Sequence, residues 1–376
     1  MIVTIAIRNL LYDKIRLGVT LTGVVFAVVL IAVQCGLFVG FTAATSTVIE
    51  HTGADIWVAS RGVRNFDVTT PLPQKTFYQV LSTPGVGTAR RLIVNFGNWK
   101  KPQGGGESVE TVGFELAGGI GAPWNLVEGD ATALSMPDTV IVDELYKAKL
   151  GITGLGQEAE INGHRVRVMG FTRSIRSFTT SPYVFCSLPT AQTVTGLREG
   201  KMTYVLARVA PGADPEAVRQ EILLRVDGVD AFLSPRFARH AQVYWMFTTG
   251  AGMALLIAAC LGLVVGVVIV AQTLYATTMD HLGEFGTLRA MGAANAYIHR
   301  IIIVQALAAA VAGYTLGISL SYVLVGLSER GGASILLPWP LACGLFFVTL
   351  GMCVGASLIS IHKVTRLDPV MVFKGR

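Results

Sequence analysis

Residues 279–300 read MDHLGEFGTLRAMGAANAYIHR, the one substantial polar stretch between two long apolar runs. Asp280 and Glu284 lie early in it, and Arg289, His299 and Arg300 later. Leu282, Phe285, Leu288 and Met291 recur at every third residue. On a helix they form a narrow apolar ridge, because residues three apart share a face. Gly292 stands where a C′ glycine ends a helix. Two readings fit this pattern. One is an amphipathic linker resting on a lipid surface; the other is a short helix seated in a groove of a partner protein.

The apolar runs on either side set the class of the molecule. Hydrophobic residues make up 52% of the 376 and charged residues 14%, well below the ~25% charged of soluble domains. Residues 17–49, 240–279, 301–328 and 331–362 contain no Asp, Glu, Lys or Arg. Each exceeds the ~20 residues that a helix needs to cross a bilayer. Spanning helices are expected at 17–41, 246–278, 301–327 and 341–362, with a short connection at 328–340. A cleaved signal peptide is a poor account of the first run, which is too long for an h-region and has a weak cleavage site near Thr42-Ala43-Ala44.

Basic residues give the orientation. Arg8, Lys14 and Arg16 precede the first span, Arg289 and Arg300 lie between the second and third, and Lys363, Arg366, Lys374 and Arg376 follow the fourth. Only Arg330 lies in the third connection. Both termini and residues 279–300 are therefore expected in the cytoplasm, with 42–245 outside. Residues 1–16 put Ile2, Ile5, Ile7, Leu10 and Leu11 on one broad helical face, with basic side chains able to reach lipid headgroups. The tail is 363–376. Between Glu50 and Arg239 there are 20 Lys/Arg and 19 Asp/Glu. The positive excess thus follows topology, and no nucleic-acid partner is expected.

The exterior region holds a weak internal repeat. Residues 54–59 (ADIWVA) read as a strand, Pro73 opens a helix to about Leu81, and Pro84-Gly85-Val86 turns into a second strand through Phe96. Residues 202–209 (MTYVLARV) read as a strand. Asp214-Pro215-Glu216 is a helix start with an N-cap, proline at N1 and an acid in the first turn. That helix runs to about Val226, and Asp227-Gly228-Val229 turns into a strand through Leu233. Two βαβ units, at 50–106 and 190–240, thus flank an insertion at 107–189. The insertion is β-rich, with strands at 139–142, 158–161, 165–171 and 183–187 and an Asn162-Gly163 hairpin turn. The expected fold is a four-helix membrane protein with a large extracytoplasmic α+β domain: two βαβ units plus an inserted β-rich subdomain.

Each span carries a G-x-x-x-G pair: Gly36/Gly40, Gly262/Gly266, Gly313/Gly317 and Gly351/Gly355. Such pairs let helix backbones approach closely in lipid. Four of them point to a tight bundle, packed also against a second copy. The uncharged spans disfavour a proton-coupled carrier, and Gln34, Gln272 and Gln305 read as interhelical hydrogen-bond partners. No P-loop occurs: 196–201 (GLREGK) is one residue short, and Met202 follows the lysine. H-E-x-x-H, G-x-S-x-G and C-x-x-C are also missing. Gly104-Gly105-Gly106 reads as a loop tip, His51, His164 and His240 as surface residues, and Cys186 as a lone exterior cysteine with no disulfide partner. No catalytic residue, cofactor or metal site is expected.

Residues 284–293, EFGTLRAMGA, resemble the E-(I/F)-G-x-L-R-A-(I/M)-G-A signature of FtsX-like permeases, a family that includes MacB, the lipoprotein-sorting LolC/LolE subunits and the DevC-type exporter permeases. Ala54–Val58, Arg64-Asn65-Phe66-Asp67, Pro71-Leu72-Pro73, residues 176–183 (RSFTTSPY) and the A-x-R-N-L-L-x-D-K-x-R order at 6–16 look most like DevC-type members. The ending Arg366-Leu367-Asp368-Pro369-Val370 resembles the family's D-P-(A/V) tail. The resemblance implies that residues 279–300 form a coupling helix docked on an ATPase, through Leu282, Glu284, Phe285, Leu288, Arg289, Met291 and Gly292. It implies a homodimer in a bacterial inner membrane and a separate ABC ATPase dimer that binds ATP and magnesium. It also implies a periplasmic adaptor (membrane fusion protein), in some systems an outer-membrane channel, and export of a lipid, glycolipid or other amphiphile. The alternative is an FtsX-like regulator that moves an exterior enzyme without transport.

Overall fold

The computed structural model describes residues 2–12, 14–179, 181–280, 283, 287, 294–330 and 335–365. Four helices are long and apolar enough to cross a membrane: Leu17–His51, Ala251–Ala276, Ala296–Ser328 and Trp339–Leu358. They are the apolar parts of α2 (Lys14–His51), α8 (Ala251–Asp280), α9 (Asn295–Arg330) and α10 (Trp339–Thr365), and α1 (Ile2–Tyr12) precedes them. A helix is what such a sequence must form in lipid, where every backbone group needs an internal partner.

Two boundaries differ from expectation. Helix α2 runs ten residues past Phe41, because no glycine or proline interrupts the chain until Gly53, which takes a left-handed φ of +69°. Its last turns bury Val48 and Ile49 in an α+β core. The second span begins at Ala251 rather than Met246. The apolar run is broken there by Gly250 at φ +81°, and the aromatic stretch before it is a π-helical turn, Tyr244–Thr248. Hydropathy sees one continuous apolar run and cannot see that turn.

The chain divides into two units, one of residues 40–252 and one of 1–39 with the three later spans. In the first, β1 (Ile56–Ser60), α3 (Gln74–Leu81) and β2 (Val86–Lys100) form one βαβ unit. The second is β9 (Tyr204–Val209), α6 (Pro215–Arg225) and β10 (Val229–Leu233). Asp214 caps α6 by accepting from the Glu216 and Ala217 amides at 3.3 and 3.1 Å. The two units interleave in the order β10-β1-β9-β2, every neighbour antiparallel, which is a split βαβ arrangement.

The inserted strands do not form a sheet of their own. They are β3 (Gly106–Phe114), β4 (Leu126–Gly129), β5 (Thr139–Asp143), β6 (Glu158–Ile161), β7 (His164–Thr172) and β8 (Tyr183–Ser187), with the short helix α4 (Lys147–Leu150) between β5 and β6. They continue the same ten-stranded sheet as β2-β3-β8-β5-β7-β4, with β6 beside β2 and β7. The long β2–β3 ladder joins the parts, and its hairpin closes at Gly104 and Gly105, both at positive φ. Asn162 and Gly163, at φ +50° and +88°, make the β6–β7 turn, the backbone that an Asn-Gly pair favours.

Both faces of the sheet are covered. On one, Phe77 and Val80 of α3, Leu188, Ala191 and Val194 of α5 (Leu188–Thr195) and Val218 and Ile222 of α6 pack on Ile56, Val58, Ile93 and Val109. On the other, Val48 and Ile49 of α2, Phe66, and Phe237 and Ala241 of α7 (Ser234–Val243) pack on Trp57, Val112, Tyr183 and Tyr204.

Candidate transmission site

The predicted coupling residues Leu282, Glu284, Phe285, Leu288, Arg289, Met291 and Gly292 lie outside the described residues. Their flanks are described. Helix α8 leads in through Thr278, whose hydroxyl donates to the Leu274 carbonyl at 2.7 Å. Helix α9 leads out, and Ile298, Ile301 and Ile302 at its start pack with Ala6 of α1 and Ile361 of α10. The amphipathic N-terminal segment thus packs on the helix that follows the predicted coupling residues.

In the membrane unit, α2 is the hub. A Cβ added at Gly266 would lie 2.6 Å from Ala27 Cβ and 2.6 Å from Met352 Sδ, and one at Gly262 would lie 3.0 Å from Leu30 Cδ2. At Gly313 it would meet Val24 at 2.5 Å, and at Gly317 Val28 at 2.8 Å. Helices α8 and α9 therefore each use their glycine pair to approach α2. Gly36 instead meets the segment before α10: the Leu336 amide donates to the Gly36 carbonyl at 3.0 Å, and a Cβ there would lie 2.8 Å from Ile335. Gly40 is buried in the α+β unit. Gly351 and Gly355 have nothing within 4 Å among the described residues. Gln272 is exposed, and the buried Gln305 Nε2 has no partner among the described residues. Tyr314 does the bridging, its hydroxyl donating to the Ala342 carbonyl at 2.6 Å.

A second cluster escaped the sequence reading. Glu110, on β3, points into the sheet face covered by α2 and α7 and is fully buried. Neither of its carboxylate oxygens has a hydrogen-bond partner among the described residues. Asp67 is the acid that acts on it, by its charge and by a side-chain contact. Burial first, and the neighbouring acid second, hold the Glu110 carboxyl well above the ordinary carboxylate range. Burial also raises Asp67, but there the Trp245 indole opposes it, donating to Asp67 Oδ2 at 2.7 Å. Glu110 is thus the carboxyl that keeps a proton, and Asp67 the more easily ionised one.

The loop that carries Asp67 is held from both sides. Tyr204 donates its hydroxyl to the Phe66 carbonyl at 2.7 Å, and the Val68 amide donates to Asn65 Oδ1 at 2.8 Å. Trp245 sits in the π-turn, six residues before the membrane span begins at Ala251, so the Asp67–Trp245 bond ties the sheet's covering loop to the root of α8.

Residues 17–223 match the MacB-like periplasmic core domain, and residues 256–369 match the C-terminal domain of FtsX-like permeases. The chain belongs to the MacB/FtsX family of ABC transporter permeases. An uncharacterised ABC transporter permease of Mycobacterium tuberculosis is 26% identical over 379 residues, covering 98% of this chain and 99% of the relative. The macrolide export ATP-binding/permease protein MacB of Escherichia coli is 25% identical over 244 residues, covering 62% of this chain and 38% of MacB. Among solved structures, the periplasmic region of MacB from Actinobacillus actinomycetemcomitans aligns with a TM-score of 0.37 at 12% identity, over 51% of this chain and 96% of that one. As a permease of this family the protein is a multi-pass membrane component of an ABC transporter and works with an ATPase partner.

Proposed function

We propose that this MacB/FtsX-family permease is the membrane subunit of an exporter powered by a separate ATPase subunit. ATP and magnesium are held by that ATPase, and no cofactor by this chain. Closure of the ATPase pair moves the coupling segment at 279–300, and the motion passes through the spans to the α+β domain. That domain then drives a lipid, glycolipid or other amphiphile through a periplasmic adaptor, in the DevC-type arrangement and in some systems with an outer-membrane channel. Both termini face the cytoplasm, the membrane is a bacterial inner membrane, and the working permease is a homodimer.

One observation supports the reading most. Helix α2 is unbroken over 38 residues, with Val24, Ala27 and Val28 in the core of the bundle and Val48 and Ile49 in the core of the sheet domain. A rod that belongs to two hydrophobic cores cannot move in one without loading the other, because packed interiors deform little. The uncharged spans leave no relay for a proton, so ATP is the energy source that fits.

The test uses a spin label at Lys100, reporting ATP-driven movement in the permease–ATPase complex. Inserting Gly-Gly after Ala44 breaks the rod. ATPase binding should persist while the ATP-dependent change at the label disappears. An unchanged response in the insertion variant would rule out α2 as the transmitting element.

A further inference from the structure

We propose that the α+β domain carries a binding site for the headgroup of an anionic membrane phospholipid, at the root of the second span. The site is a cavity of about 270 Å³ lined by Val63, Arg64, His240, Val243, Tyr244 and Thr248. This assignment does not rest on the exporter reading; it needs only that the chain spans a membrane.

Its place follows from the covalent chain. Thr248 precedes the first residue of the spanning helix, Ala251, by three residues. At no more than ~3.5 Å per residue, it lies within about 10 Å of that helix's start. The lining residues Val243 and Tyr244 belong to the same run, which reads VYWMFTTG from 243 to 250. A Tyr-Trp-x-Phe segment next to an apolar span is the composition of the headgroup belt. The cavity therefore opens where lipid headgroups are.

Its charge has one sign. The Arg64 side chain is exposed and makes no ion pair or hydrogen bond among the described residues. His240 stacks on Phe232 with ring centroids 5.6 Å apart, and its Nε2 lies 3.3 Å from the Val63 carbonyl. No Asp or Glu occurs from Ala231 to Met279. The acids nearest in sequence are engaged elsewhere: Asp67 accepts from Trp245, and Asp230 accepts from the Gly62 amide at 2.7 Å. An arginine fork and an imidazole among two valines and a tyrosine suit a phosphate with glycerol beside it. The volume decides the size of the occupant. It is below the roughly 300–1,000 Å³ of sites that enclose whole ligands. It takes a headgroup and leaves the acyl chains to the bilayer.

The experiment places the full chain in nanodiscs of mixed phosphatidylcholine and phosphatidylglycerol and counts the lipids retained in native mass spectrometry. Phosphatidylglycerol should be enriched roughly fivefold, the scale set by one interfacial arginine. Arg64→Gln with His240→Gln should bring the ratio to parity, and Arg64→Lys should restore part of it. Arg61→Gln removes an exposed arginine that does not line the cavity and should change nothing. Val243→Trp fills the cavity without touching its charge and should also abolish the enrichment, while a thermal melt confirms folding. Full enrichment in the Arg64/His240 variant, or in Val243→Trp, would overturn the site. So would displacement of the lipid by millimolar inorganic phosphate, because a free anion would then be the ligand.

Discussion

At the scale of single residues, Glu110 is where the chain departs furthest from ordinary rules. A fully buried carboxyl with no hydrogen-bond partner among the described residues cannot stay charged, because desolvation costs more than the proton does. Stability should therefore depend on pH with a definite sign. Above the unfolded value of about 4.5 the unfolded chain releases its proton while the folded chain keeps one, since the folded pKa of Glu110 is raised. Stability is thus highest below that unfolded value and falls as pH climbs toward the folded one. Asp67, also raised, contributes with the same sign. Glu110→Gln replaces the protonated form by a neutral amide and should flatten the fall. The check is the melting temperature of the full protein in detergent from acid to mildly alkaline pH; equal slopes in both proteins would contradict the assignment. Little of this was legible in the sequence. β3 reads GESVETVGF, where Val109 and Val112 face opposite sides of a sheet buried on both faces. The alternation that marks an outside is missing there, and nothing in S-V-E-T-V says that the glutamate is interior.

At the scale of elements, the glycines make contrasting predictions. Gly266→Ala drives a methyl against Ala27 Cβ, which cannot rotate away, so α8 must shift from α2 at a cost of about 1–3 kcal/mol. Gly351→Ala meets nothing within 4 Å among the described residues and should leave stability unchanged or slightly raised. Thermal unfolding of both variants in one detergent measures the difference. The sequence marked all four pairs alike, since G-x-x-x-G gives spacing but not the direction in which the pair faces. Caps and turns were more legible because they are local: Asp214-Pro215 starts α6, and Asn162-Gly163 turns β6 into β7. The single sheet was not, because joining the insertion to the βαβ units depends on long-range pairing along β2 and β3. The coupling segment itself is read from sequence alone. If Phe285 centres a ridge seated in an ATPase groove, Phe285→Ala removes about 2 kcal/mol or more and should reduce ATPase co-purification roughly tenfold or more. Arg289→Ala, at the rim, should cost less. Normal membrane insertion with full ATPase retention in Phe285→Ala would favour the lipid-resting linker instead.

At the scale of the whole molecule, the homodimer proposed above makes a prediction about which face meets the second copy. Two helices offer apolar stripes: Met253, Ile257, Leu261, Val264 and Val268 on α8, and Leu316, Leu320, Val323 and Leu327 on α9, all exposed. Helix α10 offers Gly344, Gly351 and Gly355, with nothing within 4 Å among the described residues. Lipid can cover any of these, so exposure alone does not choose. Connectivity does. The chain enters the α+β domain from α2 and leaves it into α8. A twofold axis beside those helices pairs the spans that are covalently joined to the domain, whereas an axis beside α9 or α10 pairs spans that are not directly tied to it. Helix α8 is also the least covered by its own chain, with 17% of its apolar window buried against 44% for the third span. Its glycine pair is used on α2, which leaves the stripe from Met253 to Val268 for a partner at coiled-coil-like spacing. Single cysteines in a background without the five native ones should therefore cross-link between copies at positions 257 and 261 in membranes. Cysteines at 316, 320 and 351 should not. Cross-linking confined to 351 would move the axis to α10 and remove the mechanical reason for a dimer at α8. A monomer by native mass spectrometry in lipid, with the ATPase bound, would exclude the homodimer altogether.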